Sequence, residues 1–191
     1  MKLSGEELIP APRETVWRAL NDAEVLRQSI PGCKAIRKIS DTEMEATVTV
    51  ALGPLKVNFN GRVKLSNLDP PKSYRIAGQG NGGFAGSASG GANVTLAEEG
   101  QGTRLSYEVD SQVTGKLATM GARLIEPVSR KLAGQFFEKF AAIAAKMKPA
   151  AAAPPKTARK PVRKTAAKKK AMKKPAKKAI KPAAKKKPKR R

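Results

Sequence analysis

All 15 Asp and Glu residues of this chain lie at or before Glu138, whereas the stretch from Lys148 to Arg191 holds 20 Lys and Arg residues and no carboxylate. That segregation divides the polypeptide before any secondary structure is considered. Of the formal net charge of +24, only +4 belongs to residues 1–147, which carry 19 basic and 15 acidic side chains. The remaining 44 residues contain, besides the 20 cations, 12 Ala and 7 Pro. Such a segment cannot bury enough apolar surface to offset its ordering entropy, and its prolines interrupt any long helix, so residues 148–191 are expected to be a disordered polycationic tail. Twenty like charges exceed what solubility requires, and the tail is expected to bind a polyanion. The densest candidates are Lys168, Lys169, Lys170, Lys173, Lys174, Lys177 and Lys178, then Lys185, Lys186, Lys187, Lys189, Arg190 and Arg191. An anionic membrane surface and the DNA backbone both fit this chemistry. Without aromatic residues in the tail, nucleic-acid binding would be blind to sequence.

Residues 1–147 are long enough for one domain with a core, or a core with a cavity. Cys33, the only cysteine, cannot pair within the chain; an unpaired thiol fits a reducing compartment, by default the cytoplasm, or simply a core position. Two carboxylates by position 7 leave no room for the apolar stretch of an export signal, and no run suits a membrane-spanning helix.

Hydrophobic spacing then orders the domain. Lys2 to Ile9 reads as a strand, and Pro12 opens a short helix with Val16, Trp17 and Leu20 on its apolar stripe. A second helix spans Ala23 to Ser29 and stops at the turn Ile30-Pro31-Gly32. Alternation then predicts strands over Lys34 to Ile39, Glu43 to Leu52, Leu55 to Leu65, Ser73 to Gly78, Ala88 to Leu96 and Thr103 to Val113. The connections, among them Gly53-Pro54 and Glu99-Gly100-Gln101-Gly102, are short and suit antiparallel hairpins. From Lys116 to Met147, apolar residues recur every three or four positions, as on one face of a long helix, which Pro127 should kink or divide. The expected fold class is therefore α+β, a curved antiparallel sheet of about seven strands wrapped round a long C-terminal helix.

The chain has no histidine, which removes the usual general base and the common nucleophile pairs, and no catalytic or metal-binding residue is assigned. Gly78-Gln79-Gly80-Asn81-Gly82-Gly83 matches a dinucleotide-binding spacing, but the next residues, Phe84 to Gly91, are too glycine-rich to open the helix that this motif needs. The acid pairs Glu6-Glu7, Glu43-Glu45 and Glu98-Glu99 read as surface. The aromatic side chains read first as core. Small residues opposite large flexible ones leave room for an apolar ligand, so the cavity candidates are Phe59, Gly80, Gly83, Phe84, Gly86 and Gly90 on the sheet side. Met120, Leu124, Phe136 and Phe140 face them from the helix.

Several motifs carry a family resemblance: Val16-Trp17-Arg18-Ala19-Leu20-Asn21-Asp22, Ile30-Pro31-Gly32-Cys33, Gly53-Pro54-Leu55-Lys56-Val57 with Phe59 and Gly61, and Pro70-Pro71-Lys72-Ser73-Tyr74. With Gly78-Gln79-Gly80, the glycine-rich stretch from Gly82 to Val94 and the closing Phe136-Phe137-Glu138-Lys139-Phe140, they make residues 1–147 resemble the CoxG family of carbon monoxide dehydrogenase subunits. That family is a branch of the START-like (SRPBCC) helix-grip superfamily, and the tail lies outside the shared pattern. The resemblance implies a non-catalytic accessory protein of a molybdenum hydroxylase such as carbon monoxide dehydrogenase, cytoplasmic and peripheral to the inner face of the cytoplasmic membrane. It implies no covalent cofactor, and as ligand an isoprenoid quinone, menaquinone or ubiquinone. A docking adaptor with a filled core and a nucleoid protein acting through its tail are the competing readings.

Overall fold

The computed structural model describes residues 1–53 and 55–149. Nearly all of the predicted tail, including every polyanion-binding candidate from Lys168 to Arg191, lies outside the described residues, as does Pro54 of the predicted Gly53-Pro54 turn.

The elements are β1 (Lys2–Ile9), α1 (Arg13–Leu20), α2 (Ala23–Ser29), β2 (Cys33–Lys38), β3 (Glu43–Leu52), β4 (Leu55–Asp69) and β5 (Ser73–Asn81). Next come a 3-10 turn (Gly83–Ala85), β6 (Ser87–Glu99), β7 (Gly102–Val113), α3 (Lys116–Thr119) and α4 (Ala122–Ala144). The seven strands form one antiparallel sheet in the order β1-β7-β6-β5-β4-β3-β2. Every neighbour from β2 to β7 is therefore a hairpin partner, and only β1 is brought in from the far end of the sequence. The α+β architecture expected from the hydrophobic pattern is the one observed.

Element ends differ where weak strand formers meet strong partners. β5 continues past Gly78 to Asn81, because Gln79, Gly80 and Asn81 pair with Arg62, Gly61 and Asn60 of β4 and with Ser89, Ala88 and Ser87 of β6. Pairing on both sides overrides the low strand propensity of glycine and asparagine. The long C-terminal helix is divided, but at Met120-Gly121 rather than at Pro127. Gly121 stands at φ 72°, a left-handed conformation that no continuing helix can use. Pro127 sits inside the second turn of α4, which continues through it although its missing N–H forfeits the bond to Arg123.

Side-chain parity makes the sheet two-faced. On β3 and β4 the cross-strand pairs Met44–Val63, Ala46–Gly61 and Val48–Phe59 turn inward. Glu45–Arg62, Thr47–Asn60 and Thr49–Asn58 turn to solvent. The outward pairs are tied to one another: Glu45 binds both Arg37 and Arg62, and Thr47 Oγ1 donates to Asn60 Oδ1 at 3.0 Å. Of the acid pairs read as surface, Glu43 and Glu45 lie on this outer face, while Glu7 turns to the concave side and is half-buried.

The interior contains two separate apolar clusters. The larger joins Ile9, Val16, Ala19, Leu96, Leu105 and Phe140 at the end where α1 and the C-terminal part of α4 meet the sheet. The smaller joins Leu52, Val57, Ala85 and Leu117 at the other end, with Met120 and Val128 packed against it. Between them a run of aromatic contacts holds α4 to the sheet. Tyr107 stacks on Phe137 with ring centroids 5.2 Å apart, Phe137 meets Phe136 edge-on at 5.0 Å, and Phe136 stacks on Phe140 at 5.6 Å. Gly5 makes this possible on the sheet side, since a side chain there would collide with the Tyr107 ring.

Phe140 is fully buried, whereas Leu124 is 57% exposed. Phe140→Ala should therefore cost about 3–5 kcal/mol in unfolding free energy, while Leu124→Ala should stay within about 0.5 kcal/mol. Urea unfolding followed by circular dichroism checks both values.

Candidate functional site

The inward-facing residues of the middle strands are apolar, yet Val48, Val50, Val63, Ile76, Ala92, Val109, Phe136 and Phe137 are only half-buried. Inward apolar side chains that keep contact with solvent outline a hollow. A cavity of about 370 Å³ lies between the sheet and α4, lined among others by Ile36, Met44, Phe59, Val63, Ile76 and Phe136. A second hollow of about 360 Å³, lined by Leu3, Pro31, Val50, Ala92, Val109 and Leu132, shares Ile30, Val48, Val94, Tyr107, Phe136 and Phe137 with the first. The two lie side by side on the inner face of the sheet with these six residues in common, each in the size range of small-molecule sites.

The polar side chains on the walls of this space are Tyr74 and Tyr107. Tyr74 is 8% exposed, packs edge-on against Trp17 at 5.5 Å, and makes no hydrogen bond among the described residues. Burial pushes its phenol pKa far up. Tyr107 is also pushed up, first by burial and then by the Glu7 carboxylate, with Arg130 opposing. Both hydroxyls therefore stay protonated well above neutral pH, that of Tyr107 lying over Gly5 of β1. Among the described residues no group of three or more His, Cys, Asp or Glu side chains is placed to hold a metal ion. Cys33 is half-buried, and burial raises its thiol pKa, so it has the character of an unreactive side chain.

Of the residues singled out from the sequence, the structure brings Phe59 and Phe136 together on the cavity wall. Gly80 lies at its margin, where an added Cβ would stand 3.5 Å from the Phe59 ring. The others are elsewhere. Gly83 and Phe84 form the exposed 3-10 turn, and Phe84 is 70% exposed. Gly86, at φ 109°, abuts the backbone of Thr114, and a side chain at Gly90 would collide with the carbonyl oxygen of Asp110. Neither glycine opens space for a ligand. Met120 packs on the smaller cluster, Leu124 faces solvent, and Phe140 fills the core. The room left by glycines on and just beyond β5 is taken by the neighbouring β4: a Cβ at Gly78 would stand 2.7 Å from Val63, and one at Gly82 2.7 Å from Val57.

Ile36, Val63, Ile76, Tyr74, Tyr107 and Phe137 line the cavity without having been singled out. Parity would have found the strand residues among them, because each stands an even number of residues from, or directly opposite, an inward position such as Phe59.

An open antiparallel sheet gripping a C-terminal helix over an apolar hollow defines a START-like helix-grip domain. The sequence matches the CoxG family of carbon monoxide dehydrogenase subunits over residues 5–145, and the chain belongs to that family. Among solved structures it is similar to a conserved protein from Geobacillus kaustophilus, with 26% identity and a TM-score of 0.71 over 76% of this chain and 96% of that one. It also resembles proteins from Thermus thermophilus (16% identity, TM-score 0.58, 77% of this chain and 100% of that one) and Mycobacterium smegmatis (16%, 0.57, 74% and 89%). The last two likenesses are of fold. No curated protein matches the sequence.

Ala46 on β3 and Ala92 on β6 face the two hollows from the inner side of the sheet. Ala46→Leu and Ala92→Leu should add their methylenes to space that no side chain occupies. They should change stability by less than about 1 kcal/mol, below the cost of overpacking a filled core, while weakening binding of an apolar fluorescent dye. Dye titration alongside thermal unfolding tests both parts.

Proposed function

We propose that the domain carries an isoprenoid quinone, or a lipophile of that shape, in the hollow between sheet and helix, and serves as a non-catalytic accessory of a molybdenum hydroxylase of the carbon monoxide dehydrogenase type. In this reading the basic tail holds the protein at the anionic inner face of the cytoplasmic membrane. The observation that carries the proposal is the unfilled apolar interior, whose inward-facing valines, Ile76 and paired phenylalanines remain half-accessible. A docking adaptor has no need of such a space.

The residues fit the ligand class on two counts. Carbon-lined walls suit a polyprenyl chain, which gains about 0.8 kcal/mol for each methylene-sized group removed from water. The protonated phenols of Tyr74 and Tyr107 suit the ring carbonyls, which only accept hydrogen bonds. When bound, the quinone would supply electron acceptance; the chain itself would bind the ring, shield the polyprenyl chain from water and release both to a bilayer of equal apolarity. Family membership supports the partnership with the dehydrogenase.

Native mass spectrometry of the full chain after incubation with quinone-containing vesicles tests this reading. Retention of the quinone mass is expected, and its absence would replace the carrier with an adaptor. Tyr74→Phe and Tyr107→Phe should each weaken retention by about 0.5–1.5 kcal/mol, the net worth of one hydrogen bond. Removal of residues 148–191 should leave quinone binding intact and sharply weaken sedimentation with anionic vesicles. Sedimentation of the intact chain should fall with salt, since charges are screened within about 8 Å at physiological ionic strength.

A further inference from the structure

The two ends of the sheet differ in charge and in apolar exposure. At one end lie the β2–β3, β4–β5 and β6–β7 turns and the start of α1, where Asp41, Asp69, Glu98, Glu99 and Glu14 stand among Arg13, Lys38, Lys72 and Arg104, several of them ion-paired. At the other end lie the β3–β4 hairpin, the 3-10 turn and the β7–α3–α4 connection. The three segments that build it, residues 50–58, 81–90 and 111–125, contain Lys56, Lys116 and Arg123 and no carboxylate at all. Glu126, the next acid along α4, is paired with Arg130.

This carboxylate-free end also displays large apolar side chains to solvent. Phe84 is 70% exposed at the tip of the 3-10 turn, with the Lys116 ammonium 5.4 Å from the centre of its ring, and Leu124 is 57% exposed in the first turn of α4. Lys56 flanks Phe84 across a shallow groove. The arrangement is anchored from inside, since Ala85 and Leu117, the neighbours of Phe84 and Lys116, are buried in the same cluster. An aromatic and an aliphatic side chain ringed by cations, with no acid among them, match the boundary of an anionic bilayer, where rings and methyls enter the acyl region and ammonium groups meet phosphates.

We infer that this end of the folded domain, centred on Phe84, Leu124, Lys116, Lys56 and Arg123, is a second membrane-contact surface that seats the domain on anionic lipid in addition to the tail. It rests on the membrane reading above only in that both surfaces meet the same bilayer. The apolar hollow extends toward this end through Leu3, Val50 and Val109, and Val50 also packs on the smaller cluster beside it. Seating would therefore bring this end of the hollow toward the lipid.

The test uses the full chain with Trp17→Phe, carrying tryptophan either by Phe84→Trp or, as control, by Leu8→Trp, at a position 61% exposed on the strand edge near the acidic end. Each variant is mixed with anionic vesicles whose acyl chains are brominated. Tryptophan at position 84 should shift to the blue and be quenched, while tryptophan at position 8 should not. Sedimentation with the vesicles but equal, weak quenching at both positions would overturn the surface and leave the tail as sole anchor. No sedimentation at all would overturn both membrane readings. A separate triple variant, Lys56→Gln with Lys116→Gln and Arg123→Gln, alters only exposed side chains and keeps the wild-type tryptophan. Its vesicle affinity should fall about fivefold for each cation removed, and an unchanged affinity would count against the surface.

Discussion

Everything in this domain that could serve a ligand depends on where α4 is fastened. The aromatic run from Tyr107 through Phe137 and Phe136 to Phe140 fixes the C-terminal half of the helix to the sheet, and Gly5 gives the Tyr107 ring its place across β1. Toward its N-terminus the helix meets the sheet again only through Val128 and the smaller cluster. A sheet of seven twisted strands cannot stay in contact with a straight helix along its whole length. With the helix held at both ends, the separation falls in the middle, and the hollow is the consequence.

The fold was legible because alternation and helical spacing are local properties. Glu43–Leu52 and Ala23–Ser29 read from the sequence with the bounds they have in the structure. The division of the last helix was less so. Pro127 is the conspicuous breaker, yet α4 continues through it, whereas the left-handed backbone at Gly121 is incompatible with helix continuation. The site was legible in part for a related reason. Glycines announce missing side chains without saying which neighbour uses the space. On β5 and just beyond it, Val57, Phe59 and Val63 of the adjoining strand use it, and at Gly86 and Gly90 it is the backbone of β7 and the residue after it. Contacts of this kind depend on register between strands, which composition does not encode.

The same register explains why the outer face is so different from the inner one. Glu45 between Arg37 and Arg62, and the threonine–asparagine pairs beside it, occupy every second position of strands whose other positions are valine, alanine, glycine and phenylalanine. The arginines stabilise Glu45 as the anion, holding its carboxyl below the usual range through hydrogen bonds first and charge second. These exposed pairs add little to stability in water. Their effect is on specificity of pairing, because a slip of one residue would bury the charges and expose the valines.

A hollow interior has an energetic consequence that links structure to carriage. Stability of a domain this size is about 5–15 kcal/mol, and the apolar walls of the cavity, being half-accessible, contribute less to it than a filled core would. Any apolar molecule that displaces water from those walls adds its burial energy to the folded state alone, since the unfolded chain has no such site. At a ligand concentration one hundredfold above its dissociation constant the gain is about 2.7 kcal/mol.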